Sequence, residues 1–283
     1  MNSWRKKGLL GVSSFLAFLI IVTLSGCSPA SVNDDSTQFF SLRVHPYANG
    51  DLIGCDYALT LSDSSWAIDK LAFFISSVEI KSRSTGHWRA IELKTNQWQS
   101  NGTGLLWFNT RCDRQTPQNK ELALVISHED WRKASAVRFE LGVPFSVNHL
   151  NPVTQESPLN VPDMFWTWQA GHKFFRLDLM SQNKGENKAW SYHLGSLGCK
   201  SASSLRAPSQ PCKTPNRFSV EVSLDTSLNE FVFDMDSLLS GVQLNSQTSC
   251  MFHSAQESSC DQLSQNWLSR PIFRQSQGQL PSD

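Results

Sequence analysis

Seven cysteines constrain this chain more than any other feature, because no two of them are spaced Cys-x-x-Cys. Zinc-ribbon spacing is thereby absent. Cys27 stands apart from the rest. It ends a segment that opens with Arg5, Lys6 and Lys7, runs through apolar residues from about Leu9 to Leu24, and closes on Leu24-Ser25-Gly26-Cys27. A basic start, a short apolar stretch and small residues before a cleavage point make a secretory leader. The apolar run is shorter than the roughly 20 residues a spanning helix prefers. An exported chain meets oxidising conditions, so the other six cysteines read as three structural disulfides. Sequence proximity pairs Cys199 with Cys212 and Cys250 with Cys260, leaving Cys55 and Cys112 to close the long loop. Each bridge contributes about 2–4 kcal/mol.

Leu-Ser-Gly-Cys resembles a bacterial lipobox, which implies cleavage before Cys27 and lipid on its sulfur. Ser28 in the following position favours the outer membrane over the inner one. Acyl chains contribute about 0.8 kcal/mol per buried CH₂, enough for several chains to hold a domain at a bilayer. The expected organisation is a leader over 1–26, a small polar tether over 27–37, one domain over 38–272 and a loose tail over 273–283. Lys plus Arg equals Asp plus Glu at 25 each. Without the leader the balance is slightly acidic, which argues against a nucleic-acid binder. Apolar residues at 40% of the chain, with ten Trp and seventeen Phe, exclude a disordered body.

Phe40, Leu42 and Val44 alternate with Ser41 and Arg43, and residues 88–93 alternate again. Residues 67–81 are rich in aromatic and β-branched residues, and 122–126, 136–141, 217–224 and 230–233 read as further strands. Ser127 followed by Asp130 predicts a short capped helix, and Asp234 predicts another through Leu239, stopped near Gly241. The chain is therefore expected to be mainly β, a single-domain sandwich or barrel-like fold with short helices, stapled by disulfides.

Chemistry concentrates in residues 164–178, MFWTWQAGHKFFRLD. Read as one long strand, this stretch sets Met164, Trp166, Trp168, His172, Arg176 and Asp178 on one face. A packed aromatic layer would use the same pattern. His149 and His193 sit in turn-like settings nearby in sequence. Imidazoles with a thioether suit copper, provided the fold gathers them. Hydrolase, zinc-protease, nucleotide-loop and haem-attachment motifs are absent, so the chain is not expected to be an enzyme. A carbohydrate- or peptide-binding β-sandwich lipoprotein without metal is the competing reading, since Trp side chains stack on sugars.

A further set of strings carries a resemblance. They are GCDY at 54–57, LAFFISSVEI at 71–80, ELGVPFSVNHLNP at 140–152 and SPLNVPDMFWTWQAGHKFFRLDL at 157–179. HLGSLGC at 193–199, CKTPNRFSVEV at 212–222 and CMFHSAQESSC at 250–260 continue them. In this order they resemble the MbnP family, the four-Cys proteins of the metallo-mystery pair. The resemblance implies a mostly β, copper-binding protein of the bacterial envelope, exposed to the periplasm or cell surface. It also implies a partner, an MbnH-type di-haem peroxidase, that oxidises a Trp to kynurenine. Carried over, Trp166 or Trp168 is the oxidised residue, and His149 and His193 are imidazole ligands with Met164 beside them. The family pattern has Tyr where this chain has His172, which makes His172 a further candidate ligand. His45, His87, His128 and His253 match no family ligand and read as surface residues.

Overall fold

Alternation decides the first strand. Phe40, Leu42 and Val44 are buried, and the intervening Ser41 and Arg43 are partly exposed. The computed structural model describes residues 39–61, 64–183, 188–225, 228–245, 247–251, 258–278 and 280. The expected leader, Cys27, the tether and His253 lie outside the described residues. Thr37–Asp283 form one unit.

In chain order the strands are β1 (Phe39–Ala48), β2 (Asp51–Leu52), β3 (Ala58–Leu61), β4 (Ser64–Ser82), β5 (Trp88–Ala90), β6 (Gln99–Ser100), β7 (Thr103–Phe108), β8 (Glu121–Val125) and β9 (Ala134–Leu141). They continue as β10 (Phe165–Thr167), β11 (Gly171–His172), β12 (Phe175–Ser181), β13 (Ala189–Leu194), β14 (Phe218–Ser223), β15 (Glu230–Asp234), β16 (Cys250–Met251) and β17 (Phe273–Gln275). Among the described residues four helices interrupt them: α1 (His128–Arg132), α2 (Phe145–Asn148), α3 (Met235–Leu239) and α4 (Ser258–Ser269).

Among the described residues the strands form two open sheets and a separate hairpin, β10–β11. The smaller runs β17-β15-β1-β2 with β8 also on β1, and the larger runs β14-β9-β4-β12-β13-β16. Phenylalanines join them. Phe73 of β4 lies 5.1 Å from Phe233 of β15, and Phe175 of β12 lies 5.8 Å from the same ring. The fold is mainly β and disulfide-stapled as expected, and of the two expected forms, sandwich or barrel-like, its sheets are open.

The organising strand is β4. Its first half pairs with β12, ending at Phe73↔Phe175, and its second half pairs with β9, starting at Ile75↔Leu141. Between them Phe74 donates its N–H to the Phe174 carbonyl at 2.8 Å and accepts from the Gly142 N–H at 2.9 Å. So β9 ends where β12 begins, along one edge of β4. The neighbours repeat the pattern: β14 starts at Phe218↔Leu141, and β13 ends at Phe175↔Leu194. Both connections, residues 142–174 and 195–217, therefore leave the sheet at one seam.

The disulfides are Cys55–Cys112, Cys199–Cys212 and Cys250–Cys260, the pairing that proximity predicts. Ser127 caps α1 by accepting the Asp130 N–H at 3.0 Å, and Asp234 caps α3 by accepting the Ser237 N–H at 2.8 Å. Three expectations need correction. Residues 163–179 are not one strand: a 3₁₀ turn (Pro162–Met164), the hairpin β10–β11 and then β12 replace it. Gly171 at φ +78° and the turn over 168–170 break the alternation. The tail begins later than residue 273, because Phe273–Gln275 pair with β15 as an edge strand. His45 is buried rather than at the surface, with its Nε2 against the Glu230 carboxylate across the parallel β1–β15 pair. His87 and His128 are exposed as expected.

Phe73 is fully buried and also touches Phe108, Phe175 and Phe273. Phe73→Ala is expected to cost about 3–5 kcal/mol, measured as a drop in the urea midpoint at constant slope. A loss below about 1 kcal/mol would contradict a shared inter-sheet layer.

Candidate metal centre

The first excursion from the seam carries His149 and the second carries Cys199 and Cys212. After Gly142, Pro144 opens α2, and His149 is its C-terminal cap. The ring is only 4% exposed. Its Nδ1 lies 3.0 Å from the Trp168 carbonyl, which can only accept, so Nδ1 carries the proton. Its Nε2 lies 3.1 Å from Asn148 Nδ2 and 3.5 Å from Cys212 Sγ. The Asn148 amide is oriented by its other end, where Oδ1 accepts the His172 N–H at 2.8 Å. Gly171 makes this approach possible: a Cβ there would sit 2.5 Å from Asn148 Oδ1. The result is a neutral imidazole whose Nε2 lone pair accepts a single amide N–H. Burial pushes its pKa down, partly offset by the Trp168 carbonyl.

His193 belongs to a second network. Its Nε2 lies 2.7 Å from Asp178 Oδ1, which also accepts the Ser191 hydroxyl at 2.7 Å. Asp178 Oδ2 accepts Arg176 Nε at 2.7 Å, and Arg176 reaches the Asp163 carbonyl at 3.1 Å. With Nε2 donating to the carboxylate, Nδ1 of neutral His193 is the nitrogen left with a lone pair. Burial alone would raise the Asp178 pKa. The His193 and Ser191 hydrogen bonds and the charges of Arg176 and, when protonated, His193 outweigh it and hold the carboxyl well below the usual range.

The two tryptophans enter in different ways. The Trp168 backbone holds His149, whereas the Trp166 ring lies across Gly195, two residues beyond His193. A Cβ on Gly195 would meet Trp166 Cζ3 at 2.4 Å. Lys173 Nζ stands 5.8 Å from the Trp166 ring. Met164 is fully buried within the hydrophobic core. His172 is removed from the ligand set. Its Nδ1 faces the Asn148 carbonyl at 3.0 Å and its Nε2 faces the Leu159 carbonyl at 2.9 Å, so both nitrogens point at acceptors. Its ring is wedged edge-on against Phe74 and Phe165.

Two features of the site have no counterpart in the sequence reading: the Asn148 amide, and the Cys199–Cys212 bridge as a neighbour of His149. His149 and both sulfurs offer ligand atoms within 4.8 Å of one another.

A two-sheet β sandwich with an imidazole and a disulfide gathered at one sheet seam defines the structural class. The chain belongs to the MbnP family, whose model matches residues 37–252. Its structure is similar to that of MbnP from Methylosinus trichosporium, with TM-score 0.64 and 21% identity over 80% of this chain and 86% of that one. At that identity the likeness is one of fold. No curated protein matches the sequence.

Two outcomes follow from the geometry. Gly195→Ala is expected to displace the Trp166 ring and change the Trp emission spectrum; an unchanged spectrum would contradict the contact. Because the folded Asp178 pKa lies below its unfolded value, its stabilisation is present above about pH 4 and is lost as pH falls below that. Asp178→Asn should thus be less stable than wild type at neutral pH, with the difference shrinking under acid denaturation. A difference that grows toward low pH would reverse the sign.

Proposed function

We propose that this protein is an envelope lipoprotein that binds copper through His149 and His193, next to a Trp converted to kynurenine by a di-haem peroxidase partner. Family membership supports the reading. The observation that carries it is the state of the two imidazoles. In the neutral ring each commits its N–H to a fixed acceptor, the Trp168 carbonyl or the Asp178 carboxylate, which leaves the lone pair on the other nitrogen; at His149 that lone pair meets the Asn148 amide, which a metal would displace. Ligating histidines are oriented in this way. The donor set therefore fits a metal that accepts neutral imidazole nitrogen, as copper does.

The indole supplies no ligand atom as it stands, since its N–H only donates. Peroxide-driven cleavage of the indole C2–C3 bond, followed by hydrolytic loss of formate, leaves an aryl amine and a ketone. Trp166 and Trp168 are the candidates, one lying toward Gly195 and the other joined to His149. In this reading the chain is the peroxidase's substrate and then a binder, not a catalyst. Cys27 lipidation would place it on the outer membrane.

The test is copper titration of the disulfide-bonded chain, expressed with an adjacent peroxidase, against a competing chelator. The His149→Ala, His193→Ala double variant should lose more than about 100-fold in affinity. Retained binding would move the site elsewhere. Mass mapping of residues 157–180 should show one carbon exchanged for one oxygen at Trp166 or Trp168.

Protons compete for the same lone pairs. Affinity should therefore be lower at about pH 5 than at about pH 7.5. The His149 share of that loss should set in below the ordinary histidine range near pH 6.5, because burial lowers that group. Equal affinity at both values would contradict imidazole ligation.

A further inference from the structure

We propose that reduction of the Cys199–Cys212 disulfide opens a second metal site, in which Cys199 Sγ, Cys212 Sγ and His149 Nε2 hold a single Cu(I). The proposal shares His149 with the function above but needs neither His193 nor an oxidised Trp. It goes beyond that reading and does not rest on it.

Proximity is the first argument. The three ligand atoms lie within 4.8 Å of one another, and Nε2 is already 3.5 Å from Cys212 Sγ. The nitrogen facing the sulfur is the one with the lone pair, since Nδ1–H is fixed on the Trp168 carbonyl. A metal at Nε2 displaces only the Asn148 Nδ2 donor. Asn148 keeps its bond to the His172 N–H.

The second argument is that the cysteines are held together by more than their S–S bond. Just outside them, Leu197 and Thr214 exchange backbone hydrogen bonds of 2.8 and 3.0 Å. Asn216 Nδ2 donates to the Gly195 carbonyl at 2.7 Å, and Ser196 Oγ to the Pro215 carbonyl at 3.1 Å. Gly198, at φ +68°, lets the two backbones close up: a Cβ there would lie 2.8 Å from Lys213 Cβ. Opening the bridge therefore leaves both sulfurs at the mouth of the same ladder.

The chemistry balances with an external dithiol as reductant. Its thiolate attacks Cys199 Sγ, which is partly exposed, while Cys212 is buried. A mixed disulfide forms, the Cys199–Cys212 bond breaks, and Cys212 leaves as a thiolate beside His149. The second thiol of the reagent then closes onto its own mixed-disulfide sulfur and releases Cys199. Two electrons pass to the protein, the reagent becomes a cyclic disulfide, and the dithiol's protons go to solvent when the metal binds. Two thiolates and one imidazole are three donors, mostly soft. That set suits Cu(I), whereas structural Zn(II) takes four.

The test uses the full chain, disulfide-bonded or treated with dithiothreitol and then freed of it without air, titrated with Cu(I) against a bathocuproine competitor. The reduced chain should take up a single tight equivalent, bound at least about 100-fold tighter than by the disulfide-bonded chain, and should prefer Cu(I) to Zn(II). Bound Cu(I) should protect Cys199 and Cys212 from iodoacetamide while leaving Cys55 and Cys112 reactive, a readout that needs no variant. His149→Ala should weaken the reduced-state site by about 10–100-fold, and His193→Ala should leave it unchanged. The double variant Cys55→Ser, Cys112→Ser should retain the site. Equal affinity in the two redox states, or equal protection of all cysteines, would overturn the proposal. Binding by the reduced chain alone would uphold the proposal and binding by the disulfide-bonded chain alone would overturn it; the imidazole–kynurenine reading is decided separately, by the peroxidase-treated chain.

Discussion

Two strands meeting end to end on one edge of β4 govern the rest of this molecule. Phe74 bonds both arrivals through its own peptide groups, the Phe174 carbonyl on one side of its Cα and the Gly142 N–H on the other. A strand of 19 residues can serve several partners in succession, and β4 does so with a register shift between Ser76 and Glu79, where Ser77 adopts φ +54°. The consequence is spatial. Every residue between Leu141 and Phe175 must leave the sheet, and the residues between Leu194 and Phe218 leave it at the same place. Residues distant in sequence become neighbours because the hydrogen-bond ladder has no room for the segments that carry them.

One excursion and the adjoining strands β12 and β13 deliver control of proton position. An imidazole with one nitrogen donating to a fixed acceptor has one neutral tautomer, and the position of its lone pair is then fixed. His149 and His193 reach that state by different means, a carbonyl in one case and a carboxylate tied down by Arg176 and Ser191 in the other. His172 shows the opposite outcome. Carbonyls at both nitrogens turn an imidazole into a structural wedge, and its candidacy as a ligand ends there.

Much of the fold was legible because alternation and pairing are local signals. The strands around Phe40, the capped helices after Ser127 and Asp234, and the disulfide pairing by proximity all follow from short spans of sequence. Helix α4 was not legible, since its buried face includes Ser259 and Asn266 beside Leu263 and Trp267. Asn266 is buried because its amide donates to the Leu238 and Ser240 carbonyls, a long-range reason that hydropathy does not register. The 163–179 stretch misled for a related cause. Its residue types suit a strand, but Gly171 and the turn at Thr167–Ala170 serve the approach of Asn148, which comes from another part of the chain. The individual histidines could be singled out from sequence. Which nitrogen each would offer could not, because that depends on acceptors many residues away.

The Asn148 amide gives His149 a resting occupant. An imidazole lone pair that already receives an N–H is not a void awaiting a visitor. A neutral hydrogen bond of this kind contributes on the order of 1 kcal/mol, so whatever comes to Nε2 must outbid an amide by at least that margin. A proton or a coordinating cation does so easily, and a weakly held water or an apolar guest does not. The same carboxamide that shapes the hairpin thus acts as a threshold, admitting only electrophiles to the nitrogen it covers.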